Sequence, residues 1–353
     1  MSKRLLIAVF AALLGSASLH AADNILVASS RSNSLEEFDT NGKWIRTFAT
    51  TGPYAPIALA QMPKTGEIFV TTMWASGPSI GQLTNKILRY QPNGDFYVDW
   101  DTFTVECDNC PTTATQSLLF DSSGNLWVAT AYGKDLGAPI YIFKYLAKDL
   151  TLPNPPVQPS PIMAPMFRGN QMAFNTSGNL CIAGFIDEDV QCFNTSTGAQ
   201  TADYYAEIHA SSVSPVIQPA GLAFDGANRL YLTSVFGGQL AKEVNPGGPI
   251  VLLATLTASP NELNGNLVFR GPCPSYPCLV TPPVTSYLYT SAFSIAPPTF
   301  SSPDPVYKVS SSGAVTDFIY ETAPPALGND HLWGASWMIF TSPPSISLLP
   351  FPL

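Results

Sequence analysis

The chain has 353 residues, 12% of them charged and 46% hydrophobic, with 33 Pro, 25 Gly and 20 Phe. That composition is too apolar for a disordered chain and too poor in Lys and Glu for long solvent-facing helices, so a globular, β-rich protein is expected. The net charge of −9 excludes the clustered Lys and Arg that a nucleic-acid interface needs to neutralise phosphates.

Residues 1–22 read as a secretory signal peptide. Lys3 and Arg4 open it, Leu5 to Leu14 form an apolar run, and Gly15 to Ala22 is mostly small residues suited to cleavage near Ala21 or Ala22. A run of about ten residues makes about 15 Å of helix against a hydrocarbon core of roughly 30 Å, so a membrane anchor fits less well. No later stretch is apolar enough for a helical span, and the mature chain is expected to be soluble, acidic, and secreted or periplasmic.

From residue 24 onward one strand pattern recurs. The first unit has Asn24-Ile25-Leu26-Val27-Ala28, then Leu35 to Asp39, an Asn41-Gly42 turn and Trp44-Ile45. The second runs from Ile57-Ala58-Leu59-Ala60 through Ile68-Phe69-Val70 and Lys86 to Tyr90, with Asn93-Gly94 before Phe96-Tyr97-Val98. Leu118 to Asp121 before Ser123-Gly124-Asn125-Leu126-Trp127-Val128 opens the third, and Met172 to Asn175 before Leu180-Cys181-Ile182 the fourth. The fifth has Leu222 to Asp225 before Leu230-Tyr231-Leu232. The sixth, more loosely, has Leu267-Val268-Phe269, Tyr287-Leu288-Tyr289, Val306 to Val309, and Ser312-Gly313 before Val315 to Phe318.

The Asn-Gly and Ser-Gly pairs are hairpin turns, since these residues tolerate positive φ. Ile25, Ile68, Leu126, Leu180, Leu230 and Leu288 are equivalent positions at steps of about 50 residues. A four-stranded sheet cannot bury its faces alone, so the units must stack around an axis. The first unit lacks its opening strand, which Gly334 to Phe340 can supply, leaving no open edge. The expected fold is all-β: one six-bladed β-propeller of four-stranded blades over residues 23–353, its ring closed by a C-terminal strand that completes the first blade.

The six cysteines fall in close pairs, and an exported chain makes disulfides the default. Cys181 and Cys192 lie in strand-like runs on either side of Asp187-Glu188-Asp189, so a hairpin would put the two sulfurs across one strand pair. Cys107-Asp108-Asn109-Cys110 has the spacing of a redox or zinc half-site, but lacks a second pair and a strand-to-helix context. A loop-stapling disulfide is expected there, and another between Cys273 and Cys278.

Gln218-Pro219-Ala220-Gly221-Leu222-Ala223-Phe224-Asp225 through Tyr231-Leu232, with Ser123-Gly124-Asn125-Leu126-Trp127-Val128-Ala129, resembles the NHL-repeat and regucalcin/gluconolactonase superfamily of six-bladed propellers, and more loosely streptogramin lyase. The resemblance spans essentially the whole mature chain and implies the fold. It implies no single chemistry, because that superfamily includes lactonases, phosphotriesterase-like hydrolases, lyases and interaction modules. For a lactonase it implies one divalent cation, Ca²⁺ or Mg²⁺, held at the axis by a Glu, an Asn and an Asp. Asn170 matches the Asn. Pro219-Ala220-Gly221 stands where a Pro-Asp-Gly would bring the Asp, and Trp333-Gly334-Ala335 where the Glu would be, so a hard cation loses its anionic anchors.

Once His20 leaves with the signal, His209 and His331 are the remaining imidazoles. His331 precedes the closing strand in Asn329-Asp330-His331-Leu332-Trp333. Since streptogramin lyases use a mouth histidine near a metal, the resemblance makes His331 and Asp330 the candidate catalytic pair; the alternative is a His331 bonded to a loop carbonyl at the seam. His209 reads as an outer-strand residue. Asp187-Glu188-Asp189 reads as a solvated hairpin tip rather than a Ca²⁺ loop. Asn175-Thr176-Ser177 and Asn194-Thr195-Ser196 fit the glycosylation acceptor pattern, and nucleophile-elbow, zinc-helix and phosphate-loop motifs do not occur.

Positions just ahead of the inner strands should line the mouth of the channel: Tyr54, Gln116, Arg168, Asn170, Gln218, Asn264 and His331. Loops between second and third strands add Arg31, Asn33, Trp74, Tyr132 and Phe236. This amide and aromatic mixture suits a small polar ligand or a protein partner more than a charged one. Binding at the mouth is the expected function, with a hydrolase or lyase around His331 as the rival.

Overall fold

A computed structural model describes residues 24–75, 86–101, 115–130, 139–150, 159–167, 169–209, 218–235, 237–256, 262–270, 287–294, 305–319 and 335–341. Six four-stranded antiparallel sheets form the blades. From the axis outward, blade 1 is β24 (Ala335–Thr341), β1 (Asn24–Ser29), β2 (Ser34–Phe38) and β3 (Trp44–Thr50), and blade 2 is β4 (Tyr54–Gln61), β5 (Ile68–Ala75), β6 (Lys86–Tyr90) and β7 (Phe96–Asp101). Blade 3 has β8 (Thr115–Phe120), β9 (Leu126–Thr130), β10 (Pro139–Tyr145) and β11 (Ile162–Phe167). Blade 4 has β12 (Gly169–Phe174), β13 (Leu180–Gly184), β14 (Asp189–Phe193) and β15 (Gln200–Asp203). Blade 5 has β16 (Pro219–Phe224), β17 (Leu230–Ser234), β18 (Gln239–Glu243) and β19 (Ile250–Thr255), and blade 6 has β20 (Glu262–Arg270), β21 (Tyr287–Ser294), β22 (Val306–Val309) and β23 (Val315–Ile319).

The closing strand behaves as the repeat demands. β24 pairs antiparallel with β1 from Asn24↔Thr341 to Ser29↔Ala335, and Thr341 Oγ1 donates to Asn24 O at 3.2 Å. Second strands lie between two sheet faces, so β9, β13 and β17 are buried at every residue. Each blade–blade junction carries its own apolar cluster. Blades 2 and 3 meet through Phe69 and Phe120, edge-to-face at 5.2 Å, while Tyr289, Val306 and Ile319 of blade 6 meet Ile25, Val27 and Met338 of blade 1. Burial of this apolar area is what forces the sheets into a ring.

The Gly of the third-to-fourth-strand turns serves the junction as well as the turn. Gly42, Gly94 and Gly313 sit at φ of 82°, 96° and 86°. A Cβ there would overlap the carbonyl oxygen of Phe318, Phe48 or Leu253, in each case on the outer strand of the preceding blade. Turns between first and second strands are held by a side-chain acceptor: Asp121 Oδ1 takes the N–H groups of Ser123 and Asn125, and Asn175 Oδ1 those of Ser177 and Asn179. Asn175 is 5% exposed, so its carboxamide is a turn acceptor rather than an open glycan acceptor.

Cys181 and Cys192 are directly opposite in the β13–β14 ladder and disulfide-bonded, with a Cα–Cα distance of 3.9 Å. The signal segment, Cys107, Cys110, Cys273 and Cys278 lie outside the described residues. His209 is not on an outer strand: after β15 the chain turns into a short helix, α1 (Tyr205–His209), where Tyr204 N bonds Val190 O and Asp203 Oδ1 accepts from Tyr205 N. Among the described residues no helix is long and apolar enough to cross a membrane.

Candidate functional site

Every inner strand breaks its ladder near its first residues. The register shifts between Ala55 and Ala58, Thr115 and Ser117, Gly169 and Met172, Pro219 and Leu222, and Asn264 and Leu267, and at Ser29↔Ala335 on the closing pair. A bulge frees backbone groups that water cannot reach, so they need side-chain partners. Three are met by the residue one position earlier in the preceding blade. Ser117 Oγ accepts from Met172 N at 3.1 Å, Gln171 Oε1 from Leu222 N at 3.0 Å, and Asn266 Oδ1 from Met338 N at 2.9 Å.

Blade 5 has Gly221 at that position, with no side chain to offer. Gln171 therefore reaches past it to blade 6, accepting from Leu267 N at 2.7 Å and donating to Leu267 O at 2.9 Å. A Cβ on Gly221 would lie 2.8 Å from Gly265 O and 2.9 Å from Leu267 N, so the missing side chain is what leaves room for this bridge. Asn266 also donates to Met338 O at 2.7 Å. The result is a collar of amide and hydroxyl side chains lacing the inner strands together.

The expected mouth residues sit one step above this collar. Gln116 Nε2 donates to Asn170 Oδ1 at 3.4 Å, and Asn170 Nδ2 donates to Pro219 O at 3.0 Å, so Gln116, Asn170 and the start of β16 form one arc over blades 3 to 5. Gln218, just ahead of that strand, adopts φ 63° and its carbonyl accepts from Val235 N. Tyr54 is half-buried, with Lys86 Nζ 5.5 Å from its ring centre. Trp74 and Asn264 belong to strands: Trp74 pairs with Ala55 rather than lying in a loop, and Asn264 pairs with Ala292. Arg168, Asp330 and His331 lie outside the described residues, as do Tyr132 and Phe236.

Among the described residues, those around Asn170 do not make a divalent-cation cradle. Both ends of its carboxamide are engaged, and Ala220, where the carboxylate would stand, is buried against Phe185 and Val235. Among the described residues no group of three His, Cys, Asp or Glu side chains could hold a metal ion.

Asp187-Glu188-Asp189 is not a solvated tip throughout. Asp189 opens β14 and is 3% exposed, paired in register with Gly184, which in turn pairs with Gly169 at the start of β12. It thus lies at the mouth end of blade 4. Burial pushes its carboxyl up to about 6, against a hydrogen bond from Gln191 and together with the nearby Asp203 carboxylate. The sequence names none of the collar residues, and it places Asp189 in a solvated hairpin tip rather than in the interior. The collar does leave a signal there, a polar residue directly before the first apolar residue of the inner strand in Ser117-Leu118, Gln171-Met172 and Asn266-Leu267.

No protein-family model and no curated protein matches the chain. Solved structures do. A protein of unknown function from Bacteroides caccae is similar with a TM-score of 0.56 at 13% identity, over 91% of this chain and 99% of that one. A luciferin-regenerating enzyme gives 0.56 at 16%, over 85% and 91%. A streptogramin B lyase gives 0.53 at 12%, over 85% and 80%. The chain shares their propeller fold.

Proposed function

We propose that the chain is a binding propeller, secreted or periplasmic, that takes a small polar ligand or a protein partner at the mouth end of its ring. The observation that carries this reading is the engagement of Asn170. Its carboxamide is spent on Gln116 and Pro219, with an apolar contact at Ala220, so the arc is built as a scaffold rather than as a metal-activated centre. The half-buried amides Gln116 and Asn170, together with the half-buried Tyr54 at the start of the inner strand of blade 2, support recognition of a ligand by hydrogen bonding and ring contact. Purified protein carrying Tyr54→Ala and Trp74→Ala should retain less of any co-purifying molecule; unchanged retention refutes the mouth as the binding site. Stoichiometric Ca²⁺ or Mg²⁺ in the wild type that is lost in Asn170→Ala also refutes it.

An enzymatic reading would rest on His331 and Asp330, the pair that the sequence resemblance to streptogramin lyase implies. Turnover in a screen of lactones and lyase substrates that vanishes in His331→Ala would replace the binding reading. Export is tested by sequencing the N-terminus of the protein recovered outside the cytoplasm, expected to begin near Ala22 or Asp23.

A further inference from the structure

Blade 4 carries an open cleft of about 540 Å³ lined by Asp187, Asp189, Gln191, Asp203, Tyr205 and Ala206. Strand alternation puts Asp189 and Gln191 on the face that Phe193 turns toward Ile140 and Ile142 of blade 3, while Val190 and Cys192 face blade 5. Gln191 donates its amide Nε2 to Asp189 Oδ2 at 3.0 Å, and that bond fixes both groups. Two acceptors are left over: Asp189 Oδ1 and Gln191 Oε1 are buried and have no hydrogen-bond partner. Their residues are 3% and 9% exposed. Buried polar atoms are nearly always satisfied, and an unsatisfied pair of oxygens lining a cleft lacks a donor.

We propose that this cleft binds the protonated nitrogen of a small organic cation, an ammonium or guanidinium group that donates to Asp189 Oδ1 and Gln191 Oε1. Among the described residues that line or flank the cleft, none is a lysine or an arginine. Asp187 and Glu188 come from the β13–β14 turn, Asp203 from β15, and Tyr205, Glu207 and His209 from α1; His209 lies 3.7 Å from Glu188. Asp203 Oδ1 is held by Tyr205 N and its Oδ2 by Gln200 Nε2 at 3.3 Å, so its charge is fixed at the lip. An N–H cation satisfies a carboxylate oxygen and an amide oxygen together, with charge-assisted bonds. Tyr205, 53% exposed, also lines the cleft, its ring 4.2 Å from that of His209. A divalent metal fits less well, because the carboxylates do not converge into a three-ligand group and the cleft is far larger than one ion. This site is distinct from the mouth arc and does not rest on it.

The test is calorimetric titration of the full chain with agmatine, and separately with calcium chloride, on wild type and Asp189→Asn. Saturable agmatine binding that weakens about tenfold or more in Asp189→Asn supports the proposal. The variant removes an uncompensated buried charge while keeping its shape, so thermal unfolding should show it folded and no less stable at pH 7.5; weaker binding then cannot come from misfolding. Gln191→Leu, which deletes the second acceptor, should weaken agmatine binding as well. Absence of saturable agmatine binding, equal affinity in wild type and Asp189→Asn, or a response to calcium alone would each overturn it.

Discussion

Replacing Gln171 with Ala should be among the most damaging single changes in the inner ring. The side chain is 7% exposed and serves three backbone groups: Leu222 N–H, Leu267 N–H and Leu267 C=O. Leu222 and Leu267 are themselves 0% and 1% exposed, so the orphaned groups have little access to bulk water. Each buried group left unpaired costs about 1–3 kcal/mol. Water entering the vacated space recovers part of this, leaving a loss of about 3–5 kcal/mol. Urea unfolding followed by tryptophan fluorescence and far-UV dichroism measures it, with the midpoint falling and the slope unchanged. Gln171→Glu keeps an acceptor for the two N–H groups but sets a carboxylate oxygen against Leu267 O, so it should fall between wild type and Gln171→Ala. Ser117→Ala, which removes one such bond, should cost about 1 kcal/mol. A loss below about 1 kcal/mol for Gln171→Ala would refute the claim that this residue laces blades 4, 5 and 6 together.

Gly94→Ala should cost about 2 kcal/mol or more, since φ of 96° and the Phe48 carbonyl both oppose a Cβ; an unchanged urea midpoint would contradict that packing. Asp189 has a folded-state pKa raised from 3.8 to about 6, so the native state holds its proton more tightly than the unfolded chain. That contribution is present below about pH 4 and lost as pH rises through about 6. Asp189→Asn should therefore stabilise the protein by up to about 3 kcal/mol at pH 7.5 and change little at pH 4, and destabilisation in urea at pH 7.5 would contradict the assignment. Replacing Cys181 and Cys192 together with Ala should lower stability by about 2–3 kcal/mol, the chain-entropy value for a short closed loop; urea melts of the oxidised wild type and the double variant compare the two directly.

Blade count and closure were readable because each blade repeats local signals of its own. Turn acceptors such as Asp121 and Asn175, positive-φ glycines such as Gly94, and buried runs such as Leu126 to Thr130 each act within one sheet or its nearest neighbour. The cross-strand Cys181–Cys192 bond followed from the same locality. The collar was not readable, because Gln171 acts on Leu222 and Leu267 through blades placed by the ring and not by the chain around it. Asp189 misled for a related reason: three acids in a row look solvated, yet only the strand that begins at Asp189 decides which of them turns inward. His209 reads as an outer-strand residue, whereas the outer strand β15 ends at Asp203 and the short helix α1 follows it.

The pairing of β24 with β1 also means that the sheet system has no topological starting point. Asn24 and Thr341 are neighbours across one ladder, close enough for Thr341 Oγ1 to reach the Asn24 carbonyl. A circular permutant that joins these two ends through a short linker and opens the gene between β7 and β8 would keep every ladder within a blade. Its seam would fall between blades instead of inside one, so comparing refolding rates of the two gene orders would isolate what sewing head to tail within a single sheet contributes to assembly.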